Sequence, residues 1–262
     1  MANFDRLAGI QDIEWKYLSY GKVISALRAA DVFTRYFEPA GRVLELGCGG
    51  GGLSHFFKNY VGLDTAQRAL TVAWRTRSAN SVQYICGDAS SIPLATNSID
   101  VIVSISTIEH MPNPAEAIRE AERVCRKGAL LIVPCNDTFG FFYDPINYLR
   151  RKYDRPPIPF GAFGYGHISV LSKAEWIRLI ERGGFIIEAV EPYDDSILTQ
   201  LEFFCFSLIS LGKAYEDLPV KVLPARWFRF VTAFHRVLHI LDFRTQSSFC
   251  QCFVVRKPVA AR

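Results

Sequence analysis

The run Gly47-Cys48-Gly49-Gly50-Gly51-Gly52, directly behind the apolar stretch Val43-Leu44-Glu45-Leu46, constrains the fold of this chain more than any other feature. Glycine tolerates left-handed backbone and lets main-chain amides approach a ligand closely, so a strand ending in such a run ends in a ligand-binding turn. The spacing satisfies GxGxG through Gly47, Gly49 and Gly51, and equally GxGxxG through Gly47, Gly49 and Gly52, so the turn alone leaves its ligand open. Asp64 closes a second apolar run, where its carboxylate can accept hydrogen bonds from a ribose. The alternative for Asp64 is a cap on a helix starting at Thr65.

Around this turn, β-rich runs at 42–46, 60–64, 82–86, 100–105 and 129–134 alternate with helical patterns at 65–77 and 114–126, which predicts a parallel, doubly wound α/β sheet. Residues 11–38 carry apolar side chains at three- and four-residue spacings and predict one or two amphipathic helices packed on that sheet. A proline-, glycine- and aromatic-rich stretch breaks the rhythm and reads as a lid over 136–170. After it, a helix over 171–183 begins at the capping-box spacing of Ser172 and Glu175 and stops at Gly183-Gly184, followed by a strand over 185–190. A last strand is expected at 248–256, with a hydrophobic helical insertion at 194–247 between the two. With 262 residues, half of them hydrophobic, the chain suits one domain spanning 1–262 and carrying these two insertions.

Composition narrows the setting. Residues 1–10 include Asp5 and Arg6 and no apolar run of signal-peptide length, and the seven cysteines are scattered without a CxxC pair, so they read as buried thiols of the cytoplasm, with no metal site. The net charge of +4 is too mild to suggest nucleic acid as a partner, but positive charge gathers after Lys213. Within 226–241, Trp227, Phe230, Val231, Phe234, Leu238 and Leu241 share one helical face, with Arg226, Arg229 and Arg236 largely off it. Two readings stay open: packing on the chain's own domain, or peripheral contact through 203–241 with the inner surface of an anionic membrane. The uncharged stretch 203–212 is well short of the roughly 20 residues needed to span a bilayer.

Cys86-Gly87-Asp88-Ala89, ending the third strand, adds a second carboxylate where an adenine amino group could donate to it. Taken in order, Val43–Gly51, Val61–Asp64, Gly87–Ala89, Ile92–Leu94 with Asn97–Asp100, and Ser104–Met111 resemble the motif series of class I S-adenosylmethionine-dependent methyltransferases, of the small-molecule, methyltransferase-11-like type. The resemblance implies a Rossmann-like, seven-stranded sheet, mostly parallel with its last strand antiparallel, and S-adenosyl-L-methionine as cofactor. It also implies that Glu45 and the turn Gly47, Cys48, Gly49 and Gly51 hold the methionine end. Asp64, followed by Thr65, would take the ribose, Asp88 with Ala89 the adenine, and Ser104 with Ile105 would floor the site near the sulfonium.

Methyl transfer is an in-line displacement, so a protein aligns the partners and, where the acceptor is protonated, removes a proton. The candidate bases are His110, beyond the fourth strand, and His167, at the end of the lid; His110 also reads as a hydrogen-bonder shaping its loop. The Asn/Asp-Pro-Pro-aromatic motif usual in amino-methylating nucleic-acid enzymes is replaced by Ser106-Thr107-Ile108-Glu109, which leaves a small-molecule acceptor, hydrophobic or lipid-linked. Two rivals remain, a non-catalytic module of this fold and an NAD(P)-dependent oxidoreductase. The sequence does not reach the acceptor atom or the oligomeric state.

Overall fold

The computed structural model describes residues 20–76, 81–137, 152–154, 168–169, 171–193 and 250–258. Its elements run α1 (Tyr20–Tyr36), β1 (Arg42–Leu46), β2 (Asn59–Asp64), α2 (Gln67–Thr76), β3 (Val82–Cys86), β4 (Ile99–Ile105), α3 (Pro114–Val124), β5 (Cys125–Pro134), α4 (Lys173–Arg182), β6 (Ile186–Pro192) and β7 (Cys250–Arg256). One-turn 3-10 helices stand at Gly52–His55 and Ile108–His110.

The seven strands form one sheet in the order β3-β2-β1-β4-β5-β7-β6. β1 pairs in parallel with both β2 and β4, and β7 runs antiparallel to β5 and β6, so it alone opposes the sheet's direction. The strand order reverses between β1 and β4, and in an open α/β sheet the crevice at such a switch point, at the carboxyl ends of the strands, is where ligands bind. The glycine turn follows β1 and the Ser106–His110 loop follows β4, so both face that crevice.

The period-2 alternation of each strand divides the core. One face holds Val43, Val101, Val103, Leu130 and Ile132 against Phe33 of α1 and Leu70 and Ala73 of α2. The other holds Leu44, Leu46, Ile102 and Leu131 against Ile118 and Ala121 of α3 and Trp176 and Ile180 of α4. In α3 the buried positions Pro114, Ala117, Ile118, Ala121 and Val124 fall at helical spacing, with Pro114 at the first turn, where its missing N–H costs nothing. The predicted capping box is present: Ser172 Oγ accepts from the Glu175 amide at 3.3 Å, and Glu175 Oε2 accepts from the Ser172 amide at 2.7 Å. Trp176 then anchors α4 by donating its indole N–H to Pro134 O at 3.0 Å.

Several boundaries differ from the sequence reading, most by one or two residues, and those around α2 and α3 have a visible cause. The helix expected from Thr65 starts at Gln67, because Asp64 Oδ1 accepts from the Ala66 amide at 2.8 Å and holds Thr65 in the turn. The helix expected through Arg126 stops at Val124, and β5 begins at Cys125 rather than 129, because Cys125 already pairs with Ile99 across an irregular register. The insertion 194–247 and most of the lid, His167 included, lie outside the described residues.

Candidate active site

The glycine turn is fixed from behind. The amides of Gly47 and Cys48 both donate to Leu63 O, at 2.8 and 3.1 Å, which ties the end of β1 to the end of β2. Gly47, Gly49 and Gly51 have φ of 69°, 50° and 76°, the left-handed region that side-chain-bearing residues avoid. The environments of the three differ. A Cβ on Gly47 would stand 2.2 Å from Thr107 Oγ1, and one on Gly51 would stand 2.2 Å from the Tyr84 hydroxyl. Gly49 has nothing within 4 Å of that position, so it presents bare backbone to open space. That is the cradle a bound cofactor needs.

Carboxylates flank the cradle as the motif order implied. Asp64 holds it directly: Oδ2 accepts from the Gly49 amide at 2.8 Å while Oδ1 accepts from Ala66. Asp64 thus braces the turn at both ends, and each of its carboxylate oxygens keeps a second lone pair. Asp88 follows β3, adjacent to β2, and its Oδ1 accepts from both the amide and the hydroxyl of Ser90 at 2.8 Å. Those bonds hold the Asp88 carboxyl below the usual range, an anion at neutral pH. Ala89 beside it is buried, and Thr65 is exposed at the turn after β2.

Glu45 is buried under the turn, on the same face as Val43, and accepts a short hydrogen bond from the Tyr60 hydroxyl. Burial, followed by the charges of Glu45 and Asp64, pushes the Cys48 thiol far above its ordinary value, so Cys48 packs as a neutral group against Gly62. The structure thus brings Glu45, Gly47, Cys48, Gly49, Gly51, Asp64, Thr65, Asp88 and Ala89 together along the carboxyl ends of β1, β2 and β3.

Across the switch point the arrangement changes. Ser104, paired with Leu46 of β1 and Leu131 of β5, is fully buried with its hydroxyl unpartnered; half-buried Ile105 ends the strand. Ser106 turns the chain at φ 46° and Thr107 packs on Gly47. Glu109 is completely buried, and neither carboxylate oxygen has a hydrogen bond of good geometry. Burial pushes this carboxyl up to about 8, although the Thr107 and Glu109 amides and the Ser106 hydroxyl pull the other way. His110 Nε2 lies 4.0 Å from Glu109 Oε1, with the imidazole 41% exposed. Glu109 is the residue sequence reasoning passed over; its signal was an acidic side chain between Ile108 and His110-Met111 directly after a buried strand.

The lid's ends are tied here as well. The amides of Ile168 and Ser169 donate to Glu109 O at 2.9 and 2.8 Å, and Asn136 N donates to Leu171 O at 2.9 Å. Among the described residues no three His, Cys, Asp or Glu side chains gather to hold a metal ion.

Comparison with known proteins gives this geometry a context. Residues 44–133 match the family described as methyltransferase domain. A curated relative, 2-methyl-6-phytyl-1,4-hydroquinone methyltransferase 1 of Oryza sativa subsp. japonica, is 31% identical over 66% of this chain and 53% of its own length. The ubiquinone biosynthesis O-methyltransferase of Hahella chejuensis is 34% identical over 40% of this chain and 48% of its own. The chain thus spans about half the length of the curated relatives it matches. A putative methyltransferase from Bacillus halodurans shares the fold, with a TM-score of 0.54 and 21% identity over 88% of this chain and 99% of that one.

Proposed function

Because the chain belongs to the class I S-adenosylmethionine-dependent methyltransferases, we propose that it transfers a methyl group from that cofactor to a small hydrophobic acceptor of the hydroquinone or phenol class. The observation that carries the reading is the bare backbone of Gly49, left-handed and open, held by Asp64 with Asp88 one strand further out. S-adenosylmethionine supplies an electrophilic methyl on a sulfonium. Gly49 leaves the space for its methionine end, Gly47 and Gly51 let the turn pack on Thr107 and Tyr84 around it, and buried Glu45 opposes the positive charge there. Asp64 receives the ribose hydroxyls and Asp88 the adenine amino group. Ser104 and Ile105 floor the far side.

The acceptor class is supported by the relatives named for hydroquinone and ubiquinone chemistry and by the aromatic-rich lid sequence, whose described ends are pinned to Glu109 and Leu171. Isothermal titration with S-adenosylhomocysteine, then transfer of labelled methyl to a panel of prenylated hydroquinones and phenols, tests both halves. Micromolar binding and turnover of at least one panel member are expected. Failure to bind S-adenosylhomocysteine overturns the reading, and binding without turnover of any panel member overturns the acceptor class.

A peripheral membrane contact through 203–241 belongs to the same proposal, since a lipid-tailed acceptor is presented at a membrane surface; nucleic acid is no partner. Among the described residues no helix is long and apolar enough to cross a membrane. The basic amphipathic pattern of 226–241 predicts co-sedimentation with anionic vesicles that is lost when Arg226, Arg229 and Arg236 are replaced by Glu. Equal sedimentation of both proteins removes the docking role.

A further inference from the structure

We infer that Glu109 and His110 form a carboxylate–imidazole pair in which His110 takes the proton the methyl acceptor releases and buried Glu109 is the positioning residue behind it. This rests on the methyltransferase reading and deepens it at the β4 edge.

Three observations carry the inference. The Glu109 side chain is 0% exposed with neither oxygen well hydrogen-bonded, an arrangement that proteins avoid unless something is gained, because a buried polar group without a partner is costly. The imidazole of His110 stands at ion-pair distance, 4.0 Å, on the side where the pair meets solvent. The loop that carries both is held rigidly: His110 N donates to Thr107 O at 3.0 Å, Thr107 packs on Gly47, and the amides of Ile168 and Ser169 clamp Glu109 O. The pair is thereby registered against the cofactor turn on one side and the lid's return on the other.

His110 is the titratable group within ion-pair distance of Glu109 among the described residues; its other polar neighbours are the Ser106 hydroxyl and the Thr107 and Glu109 amides. The proton balance is simple. As the acceptor's bond to methyl forms and the methyl–sulfur bond breaks, the bonding pair stays on sulfur, leaving a neutral thioether. The acceptor's proton moves to His110 Nδ1, the ring nitrogen not turned toward Glu109, and ionised Glu109 beside Nε2 balances the imidazolium. The competent state therefore has Glu109 ionised, so activity rises as pH passes through its raised value of about 8.

NMR of the full chain labelled with ¹⁵N-histidine, with and without S-adenosylhomocysteine, followed from pH 5 to 10, tests the pair without an acceptor; His110→Asn assigns the signal. The expected wild-type curve for His110 carries an inflection near pH 8, set by Glu109, and Glu109→Gln lacks it. Identical curves in the two proteins overturn the pair. If Glu109→Gln does not fold, Glu109→Asp, which keeps the charge on a shorter stem, is expected to retain that inflection at a displaced pH, and a curve without it overturns the inference equally.

With 2-methyl-6-phytyl-1,4-hydroquinone as acceptor, kcat in Glu109→Gln is expected to fall at least about tenfold and to lose its alkaline rise, with KM for S-adenosylmethionine little changed. An unchanged pH profile removes the proton role. The NMR result stands whether or not that acceptor is methylated, so failure of the acceptor reading and failure of the pair are told apart.

Discussion

The turn after β1 and the loop after β4 touch each other through Gly47 and Thr107, yet they are built differently. The first is cross-tied: two amides share Leu63 O, Asp64 bridges Gly49 and Ala66, and Asp88 is held by Ser90. The second keeps Glu109, with Ser104 just ahead of it in β4, as buried polar groups without good partners. A hydrogen bond already made inside the protein preorganises a surface, whereas an unmade one in the interior is a cost awaiting compensation. The contrast fits a cofactor edge that must be stiff and an acceptor edge whose charges pair only when a reacting partner or a proton arrives.

The sharpest way to break the comparison lies within the turn itself. Gly47→Ala combines left-handed strain, about 1–3 kcal/mol, with a clash against Thr107 at 2.2 Å, so both the fold and cofactor affinity are expected to suffer. Thermal denaturation should show a fall of several degrees, and titration of S-adenosylhomocysteine a loss of affinity of at least about tenfold. Gly49→Ala adds its methyl where nothing lies within 4 Å, so stability should fall by the strain alone while affinity falls just as far. If Gly49→Ala binds S-adenosylhomocysteine as the wild type does, the open face of Gly49 is not the cofactor's seat.

Next in size is the pH dependence stored at the β4 edge. The folded chain holds Glu109 at about 8 against an ordinary 4.5, so it binds that proton more tightly than the unfolded chain does. The associated stability is fully present below pH 4.5 and is lost as pH rises through about 8. Glu109→Gln, which cannot ionise, should match the wild type near pH 5 and exceed it near pH 9, by on the order of a few kcal/mol in denaturant unfolding. A variant less stable than wild type at both pH values would show that Glu109 is a conventional structural acceptor.

This contrast also explains what the sequence disclosed. The central strands and the cradle were legible because their requirements are local: continuous apolar runs set β1, β4 and β5, and glycine suits the three left-handed positions around Cys48. Asp64 and Asp88 were legible because Asp64 ends β2 and Asp88 follows β3 by two residues, both at the carboxyl ends of strands, where the crevice lies. Glu109 was not, because its burial depends on partners far along the chain, the amides of Ile168 and Ser169 and the loop packing on Gly47, which no local pattern encodes. The end of α3 at Val124 was missed for the same reason: pairing of Cys125 with Ile99 overrides the helical pattern that continues to Arg126.

The smallest expected effect is a control away from both edges. Ser172 caps α4 with its hydroxyl and takes the Glu175 carboxylate in return, and α4 reaches the core through Trp176 and Ile180. Ser172→Ala removes an acceptor from the first turn and should cost about 1 kcal/mol of stability, seen as a small shift in unfolding midpoint. Neither S-adenosylhomocysteine affinity nor the His110 titration should move, because Trp176 still fixes the helix to Pro134 O and the lid's return still clamps Glu109 O. A loss of affinity in this variant would mean that the start of α4, two residues past the clamped Asn136–Leu171 contact, transmits its order to the crevice, and the division into a stiff edge and a poised edge would have to include the lid's anchor.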